Sequence, residues 1–125
     1  DPAGSLSVAG AATIIPRINR EIASAQANGA LVVATQDWHP PSTPHFAKDG
    51  GIWPVHCVAD TWGAALSPDL ALPDDAPRVR KGVNGEDGNS GFTTRDPETG
   101  ETTPTELERL LRNARIARPT PDRSP

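Results

Sequence analysis

Apolar residues recur at helical spacing in the first part of the chain and then merge into a continuous apolar run. The helical positions are Ile15, Ile18, Ile22 and Ala25, three or four residues apart, as on one buried face of a helix. The continuous run at residues 31–35 reads Leu-Val-Val-Ala-Thr and is typical of a strand buried on both faces of a parallel sheet. A helix that leads into such a strand predicts an α/β fold.

The ends of this first helix carry recognisable signals. Thr13 is the predicted N-cap, and Pro16 falls in the first turn, where its missing N–H breaks no helical hydrogen bond. Asn28-Gly29 is the predicted stop, because glycine readily adopts the left-handed conformation that follows a last helical turn.

Glycine and proline mark the segments between the remaining elements. Residues 40–54 are rich in both and are predicted to form an irregular loop. Residues 77–81, Pro-Arg-Val-Arg-Lys, are a second strand candidate, and the polar, glycine-rich residues 82–104 follow. Within them, Asp-Pro-Glu-Thr-Gly at 96–100 is predicted to turn. Two strands and two helices make an incomplete sheet, since independent stability needs three strands or firm helix packing.

A last helix is predicted from the sequence Thr-Pro-Thr-Glu. Thr103 would be its N-cap, Pro104 its first residue, and Glu106 would close a capping box. Its buried face is marked by Leu107, Leu110, Leu111 and Ala114. The proline-rich residues 118–125 can bury little and are predicted to be a disordered tail.

Composition and charge narrow the function classes. A net charge of −4 gives no basic surface for nucleic acid or for an anionic membrane, and no apolar run approaches the roughly 20 residues of a membrane-spanning helix. The one cysteine cannot form an internal disulfide, which fits a reducing cytoplasm. We therefore expect a cytoplasmic protein that binds neither nucleic acid nor membranes.

Two further features of the composition bear on the size of the core and on whether the chain is intact. Leu, Ile, Val and Phe are scarcer than in an average domain, so we expect a thin core that depends on a partner surface, such as that of a homo-oligomer, or is marginally stable. The chain contains no methionine and begins Asp-Pro-Ala-Gly. We therefore expect that it is processed, trimmed or a fragment.

The candidate chemistry is concentrated in residues 35–57, which hold all three histidines and the cysteine. Asp37 and His39 are two residues apart after a strand, so their side chains project to one side. With His56 they form a donor set that Zn²⁺ or Fe²⁺ prefers, with Mn²⁺ as an alternative, and His45 is a fourth ligand or a partner of a ligand. A single histidine is more often a hydrogen-bonded residue, but three together at a strand end favour a metal site.

Three other residues in or near this segment have both an ordinary and a functional interpretation. Cys57 adjoins His56, but neighbours in an extended segment point to opposite faces, so a buried packing cysteine is favoured over a nucleophile. Trp53 is either a packing residue or a flat apolar wall for an aromatic ligand. Lys81 is either a solvated lysine or a catalytic cation at the carboxyl end of a parallel strand.

In their order, the motifs of this chain resemble the nicotinamidase branch of the isochorismatase-like cysteine hydrolases. The match covers nearly everything before the tail. It comprises Gly4-Ser5-Leu6-Ser7-Val8, Thr35-Gln36-Asp37-Trp38-His39-Pro40, His45-Phe46, Trp53-Pro54-Val55-His56-Cys57-Val58, Lys81-Gly82 and Ser90-Gly91-Phe92.

This resemblance implies a fold and an activity. The fold would be an incomplete three-layer, Rossmann-like α/β domain with a parallel sheet over residues 1–117, and the activity would convert nicotinamide and water into nicotinate and ammonia. It also implies site residues. The metal ligands would be Asp37, His39 and His56, with His45 added in some members; Lys81 would be catalytic, and Trp53 and Leu6 would line the nicotinamide pocket.

The chain also departs from the family pattern. The family's catalytic aspartate precedes the Gly-Ser-Leu segment, its nucleophilic cysteine lies on a later strand-to-helix turn, and neither has a counterpart here. Asn89 replaces an aromatic residue that is common before Ser-Gly-Phe. We therefore expect a nicotinamidase-type fragment without turnover by the cysteine mechanism. Two alternatives stay open: a non-catalytic metal-binding module, and a hydrolase that uses a metal-bound hydroxide.

Overall fold

The computed structural model describes residue 1 and residues 3–116. The predicted tail at 118–125 lies outside the described residues. In chain order the elements are a 3₁₀ turn at Ala11–Ile14, helix α1 at Ile15–Ala27, strand β1 at Ala34–Asp37, a 3₁₀ turn at Ala47–Asp49, strands β2 at Arg78–Lys81, β3 at Thr93–Arg95 and β4 at Thr102–Pro104, and helix α2 at Leu107–Ile116.

Helix α1 confirms the first predicted helix, including proline in its first turn and a stop at Asn28. Gly29 follows with φ of 68°, the left-handed conformation expected there. The predicted cap was wrong. Ile14 occupies the N-cap position without a side-chain cap, while the Thr13 hydroxyl donates to the carbonyl of Gly10 at 2.6 Å. The reason is that the chain enters the helix through a 3₁₀ turn, which places Thr13 one residue too early.

Strands β1 and β2 form a two-stranded parallel sheet, with Ala34 opposite Arg78 and Asp37 opposite Lys81. The parallel sheet and the second strand are therefore confirmed, but the first strand lies further along the chain than residues 31–35. Strand pairing starts only where the Ala34 N–H reaches the carbonyl of Pro77 at 3.0 Å. Leu31, predicted to be buried, is 42% exposed and lines an apolar groove of about 840 Å³ beside α1.

Strands β3 and β4 form an antiparallel hairpin within the polar, glycine-rich residues 82–104, for which no strand was predicted. The predicted turn at 96–100 is confirmed, because the Asp96 side chain accepts from two backbone N–H groups and the Gly100 N–H bonds the Asp96 carbonyl at 2.8 Å. The predicted start of the last helix was wrong. Thr103 and Pro104 belong to β4, so they cannot begin a helix.

Helix α2 instead begins at Leu107, whose N–H donates to the hydroxyl of Thr105 at 3.2 Å. Leu107 is buried, as predicted, whereas Leu111 is 42% exposed. Across the described residues the buried apolar side chains are few, as the thin-core prediction requires: Ile22, Phe46, Ala64, Val79 and Leu107. Among residues 1 and 3–116, no helix has the length and apolarity to cross a membrane.

Candidate metal centre

The segment that follows β1 continues beside the segment around His56. The His39 N–H donates to the carbonyl of Cys57 at 2.9 Å, and the His39 carbonyl accepts from the Ala59 N–H at 2.7 Å. This pairing forms an isolated parallel bridge between His39 and Val58. As a result His39 and His56, 17 positions apart in the sequence, lie side by side at the carboxyl end of the sheet.

The intervening loop folds back on itself and places His45 against both of the other histidines. Phe46 and Trp53 form a second isolated bridge, with the Ala47 N–H donating to the Trp53 carbonyl at 2.6 Å. Gly51 is needed at this turn, because a Cβ there would lie 2.2 Å from the carbonyl oxygen of Pro44. The irregular loop predicted for residues 40–54 is confirmed, apart from one short 3₁₀ turn.

The three histidines form a compact buried cluster. One ring nitrogen from each of His39, His45 and His56 lies within 4.8 Å of the others, and all three residues are buried. The ring centroids are 4.7 Å apart for His39 and His45, 5.0 Å for His39 and His56, and 5.3 Å for His45 and His56. Phe46, which is fully buried, packs against all three rings. The sequence prediction that these histidines come together is therefore correct.

Each histidine uses its Nδ1 atom on an acceptor from the protein. His39 Nδ1 lies 3.3 Å from the Gly82 carbonyl, His56 Nδ1 lies 2.6 Å from the Pro54 carbonyl, and His45 Nδ1 contacts Asp87 Oδ1. Because these partners are acceptors, the proton belongs on Nδ1, and Nε2 keeps its lone pair. The ring atoms left to bind an ion are therefore the three Nε2 atoms.

The Nε2 atom of His39 shows that this arrangement fits a metal ion. It is buried and has no hydrogen-bond partner among the described residues, although an unsatisfied buried polar atom typically costs about 1–3 kcal/mol. Burial lowers the pKa of His39, while the nearby Asp37 carboxylate opposes that shift. The ring is thus held neutral, which is the form that coordinates Zn²⁺ or Fe²⁺.

Asp37 lies beside this cluster and is paired with Lys81. The Lys81 amine donates to Asp37 Oδ1 and to the Gly88 carbonyl, and the lysine side chain is only 11% exposed. The solvated-lysine interpretation of Lys81 is therefore wrong, because β1 and β2 bring it opposite Asp37 in register. The three-histidine cluster does not include Asp37, and its role as a metal ligand stays a prediction.

Cys57 is partly buried and has a left-handed backbone, with φ of 49°. Burial raises the pKa of its thiol, Asp37 raises it further, and Lys81 acts in the opposite direction. A thiol with a raised pKa carries little thiolate at neutral pH and is a poor nucleophile. These properties favour the packing interpretation of Cys57.

The two predicted substrate contacts both lie near the loop. The Trp53 ring stacks on His45 with centroids 6.0 Å apart and planes inclined by 26°, yet the residue is 38% exposed. Leu6 is 45% exposed, and its neighbour Ser5 donates to the Val55 carbonyl at 2.8 Å, which ties this segment to the loop. Both residues are accessible from solvent, and their roles in substrate binding stay predictions.

Two residues of the site were missed by sequence reasoning. Asp87 accepts from His45, and Gly82 both accepts from His39 and leaves room for its ring. The available signal was an acidic residue in a glycine-rich segment directly after β2, at the end of the sheet where the histidines lie. The sequence gives no pairing between these segments, so that signal could not be connected with a particular histidine.

Together, the parallel sheet and a buried histidine cluster at the carboxyl ends of its strands define an α/β domain with a candidate metal site. Similarity to known proteins identifies the family of this domain. The family model described as Isochorismatase domain matches residues 2–118. The chain belongs to this isochorismatase family, which confirms the predicted fold class.

Nicotinamidases are among its relatives. That of Acinetobacter baylyi is 36% identical over 115 residues, which cover 78% of this chain and 52% of the relative. That of Escherichia coli is 33% identical over 96 residues, covering 65% of this chain and 45% of the relative. The chain spans about half the length of these curated relatives.

Solved structures give the same picture. The pyrazinamidase of Pyrococcus horikoshii in complex with zinc has 38% identity and a TM-score of 0.74, with 90% of this chain and 57% of that chain covered. The PnC1 protein of L. infantum in complex with nicotinate has 34% identity and a TM-score of 0.70, with coverage of 90% and 54%. The similarity thus includes one protein solved with zinc and one solved with nicotinate.

Proposed function

We propose that this chain carries the metal centre of a nicotinamidase-type amide hydrolase. The observation that supports this most directly is the buried Nε2 atom of His39, which has no hydrogen-bond partner among residues 1 and 3–116 and belongs to a cluster with two further histidines. A protein interior rarely leaves such an atom unsatisfied. Similarity to a zinc-bound pyrazinamidase and to nicotinamidases supports the same conclusion.

His39, His45 and His56 would hold the ion, with Asp37 as an additional ligand. Zn²⁺ and Fe²⁺ suit this nitrogen-rich set, and Mn²⁺ would bind more weakly because it prefers oxygen donors. When bound, the ion would supply a Lewis acid that orients the ring nitrogen of a pyridine amide. The Nδ1 contacts of the three histidines keep the rings in place for this task.

The substrate class we propose is a flat aromatic amide such as nicotinamide. Trp53 offers an exposed indole beside His45, and Leu6 offers apolar surface on the segment tied to the loop. Lys81 has its amine beside Asp37, a proposed ligand of the ion, and it would stabilise negative charge that develops on the carboxamide oxygen. Each of these roles is part of the proposal.

We further propose that these 125 residues alone do not hydrolyse the amide through a cysteine. Their one cysteine is Cys57, whose carbonyl takes part in pairing with His39 and whose thiol has a raised pKa. The same combination of a formed metal cluster and an unreactive thiol favours a second candidate function. In that candidate, the chain binds metal and the pyridine ring without turnover.

Metal analysis and an ammonia assay test these proposals together. The purified chain should bind zinc, and the His39→Ala and His56→Ala variants should lose most of it, while Cys57→Ala should retain it. Unchanged metal content in the histidine variants would defeat the metal site.

Ammonia release from nicotinamide is then measured with added Zn²⁺ or Fe²⁺. We expect none from the chain alone, and robust release that thiol reagents block would overturn that expectation. Release that persists in Cys57→Ala but is lost with a chelator would instead support the metal-hydroxide alternative.

A further inference from the structure

Asp87 is the only charged partner of the histidine cluster that the described side chains provide by direct contact. Its Oδ1 atom accepts from His45 Nδ1, and the two groups are nearly enclosed, with side chains 16% and 3% exposed respectively. The other two histidines donate to neutral backbone carbonyls, from Gly82 and Pro54. His45 therefore differs from its neighbours in facing a carboxylate.

A carboxylate on Nδ1 has two effects on the far side of the ring. It fixes the proton on Nδ1, so that Nε2 keeps its lone pair. It also fixes the rotation of the ring, which matters because His45 lies on an irregular loop and not on a strand. Both effects favour binding of a cation at Nε2.

The backbone of Asp87 is held by the hairpin. Its N–H donates to the Arg95 carbonyl at 2.6 Å, and its own carbonyl accepts from the Arg95 N–H at 3.1 Å. The Arg95 guanidinium also lies 3.5 Å from Asp87 Oδ2, the carboxylate oxygen that His45 does not use. The carboxylate of Asp87, which is 42 residues away from His45 in the sequence, is thus positioned by β3.

We propose that Asp87 is a positioning residue of the metal centre, which acts through His45 and is itself positioned by the β3–β4 hairpin. This inference rests on the proposed metal site. It assigns the hairpin a role in the site, because Arg95 of β3 pairs with Asp87. It also makes His45 a full ligand of the ion, because a largely enclosed carboxylate on its Nδ1 prepares Nε2 for that role.

The test is zinc affinity of the full chain, measured by competition with a chromophoric chelator. Asp87→Ala should weaken zinc binding by about tenfold to hundredfold, the usual effect of removing such a partner. Asp87→Asn should retain more affinity than Asp87→Ala, because its amide oxygen can still accept from Nδ1. The matched control is Asp75→Ala, which removes an exposed carboxylate from the loop before β2 and should leave the affinity within about threefold of the wild type.

A double-mutant cycle then asks whether Asp87 acts through His45. In the His45→Ala background, Asp87→Ala should have no further effect on zinc affinity, and the visible absorption of bound Co²⁺ should be the same with and without the carboxylate. An unchanged affinity in Asp87→Ala, or an equal loss in both backgrounds, would overturn this inference and leave the metal site standing. A wild-type chain that binds no zinc would overturn both.

Discussion

Substituting alanine for Gly82 tests how closely the chain after β2 is fitted to the metal centre. Gly82 has φ of 74°, and a Cβ added there would lie 2.5 Å from Cε1 and 2.6 Å from Nδ1 of His39. The carbonyl of the same residue accepts from that Nδ1 atom. The substitution therefore strains the backbone and displaces the most deeply buried ring of the cluster.

The expected loss has two parts. A left-handed backbone costs a residue with a Cβ about 1–2 kcal/mol, and forcing an extra methyl group into a packed interior costs about 1–3 kcal/mol. Gly82→Ala should therefore lower the free energy of unfolding by about 2–5 kcal/mol. That is a large share of the roughly 5–15 kcal/mol that stabilises a typical domain.

Gly10 provides a control that separates the two parts. It has nearly the same backbone, with φ of 77°, but a Cβ there would meet nothing within 4 Å. Gly10→Ala should therefore show only the backbone cost of about 1–2 kcal/mol. Urea unfolding followed by tryptophan fluorescence gives both values, and zinc affinity should fall in Gly82→Ala alone. Equal losses of stability in the two variants, or normal zinc binding by Gly82→Ala, would refute the packing argument.

Three further predictions concern the core, the cysteine and the hairpin. Phe46→Ala should lower the free energy of unfolding, measured in urea, by about 3–5 kcal/mol because Phe46 is fully buried among the histidines. Phe92→Ala, at a half-exposed position, should lower it far less. Similar losses in the two variants would contradict this prediction. Iodoacetamide at pH 8 should alkylate folded Cys57 more slowly than the urea-unfolded chain, because burial raises the pKa of its thiol; equal rates per thiol would show that the thiol is not protected. Backbone N–H groups lower the pKa of Asp96 below its ordinary value of 3.8. The contribution of the ionised carboxylate to the stability of the fold is therefore present above pH 3.8 and is lost as the pH falls through the folded-state pKa. The stability difference between wild type and Asp96→Ala should accordingly shrink on acidification, and a difference independent of pH would count against this assignment.

How much of the fold was predictable depended on whether the signal was local. Helix α1 and its stop at Asn28 were predicted well, because the spacing of the apolar residues and the glycine at position 29 are local signals. The first strand was displaced because its bounds are set by pairing with β2 and not by the apolar run. The hairpin was missed because Thr93–Arg95 and Thr102–Pro104 are short and mostly exposed, so neither segment shows apolar alternation.

The candidate site, too, could be predicted only where its residues lie close together in the sequence. His39, His45 and His56 were predicted to meet because they lie close together in the sequence and follow a strand. The pairing of Asp37 with Lys81 required the register between two strands, and the contact of Asp87 with His45 spans 42 residues. A single sequence carries no signal for such distant pairs, so these contacts became visible only in the folded chain.

All three histidines come from one short stretch, residues 39–56, and this affects how an ion would couple to folding. The entropy lost in closing a loop grows with the logarithm of its length, so a short stretch can gather its imidazoles around zinc before the rest of the chain is folded. An ion that also binds the unfolded chain stabilises the native state by less than its native affinity implies. Zinc should therefore raise the midpoint of unfolding only modestly, and much of that increase should come from the distant carboxylate of Asp87, which the unfolded chain does not hold in place.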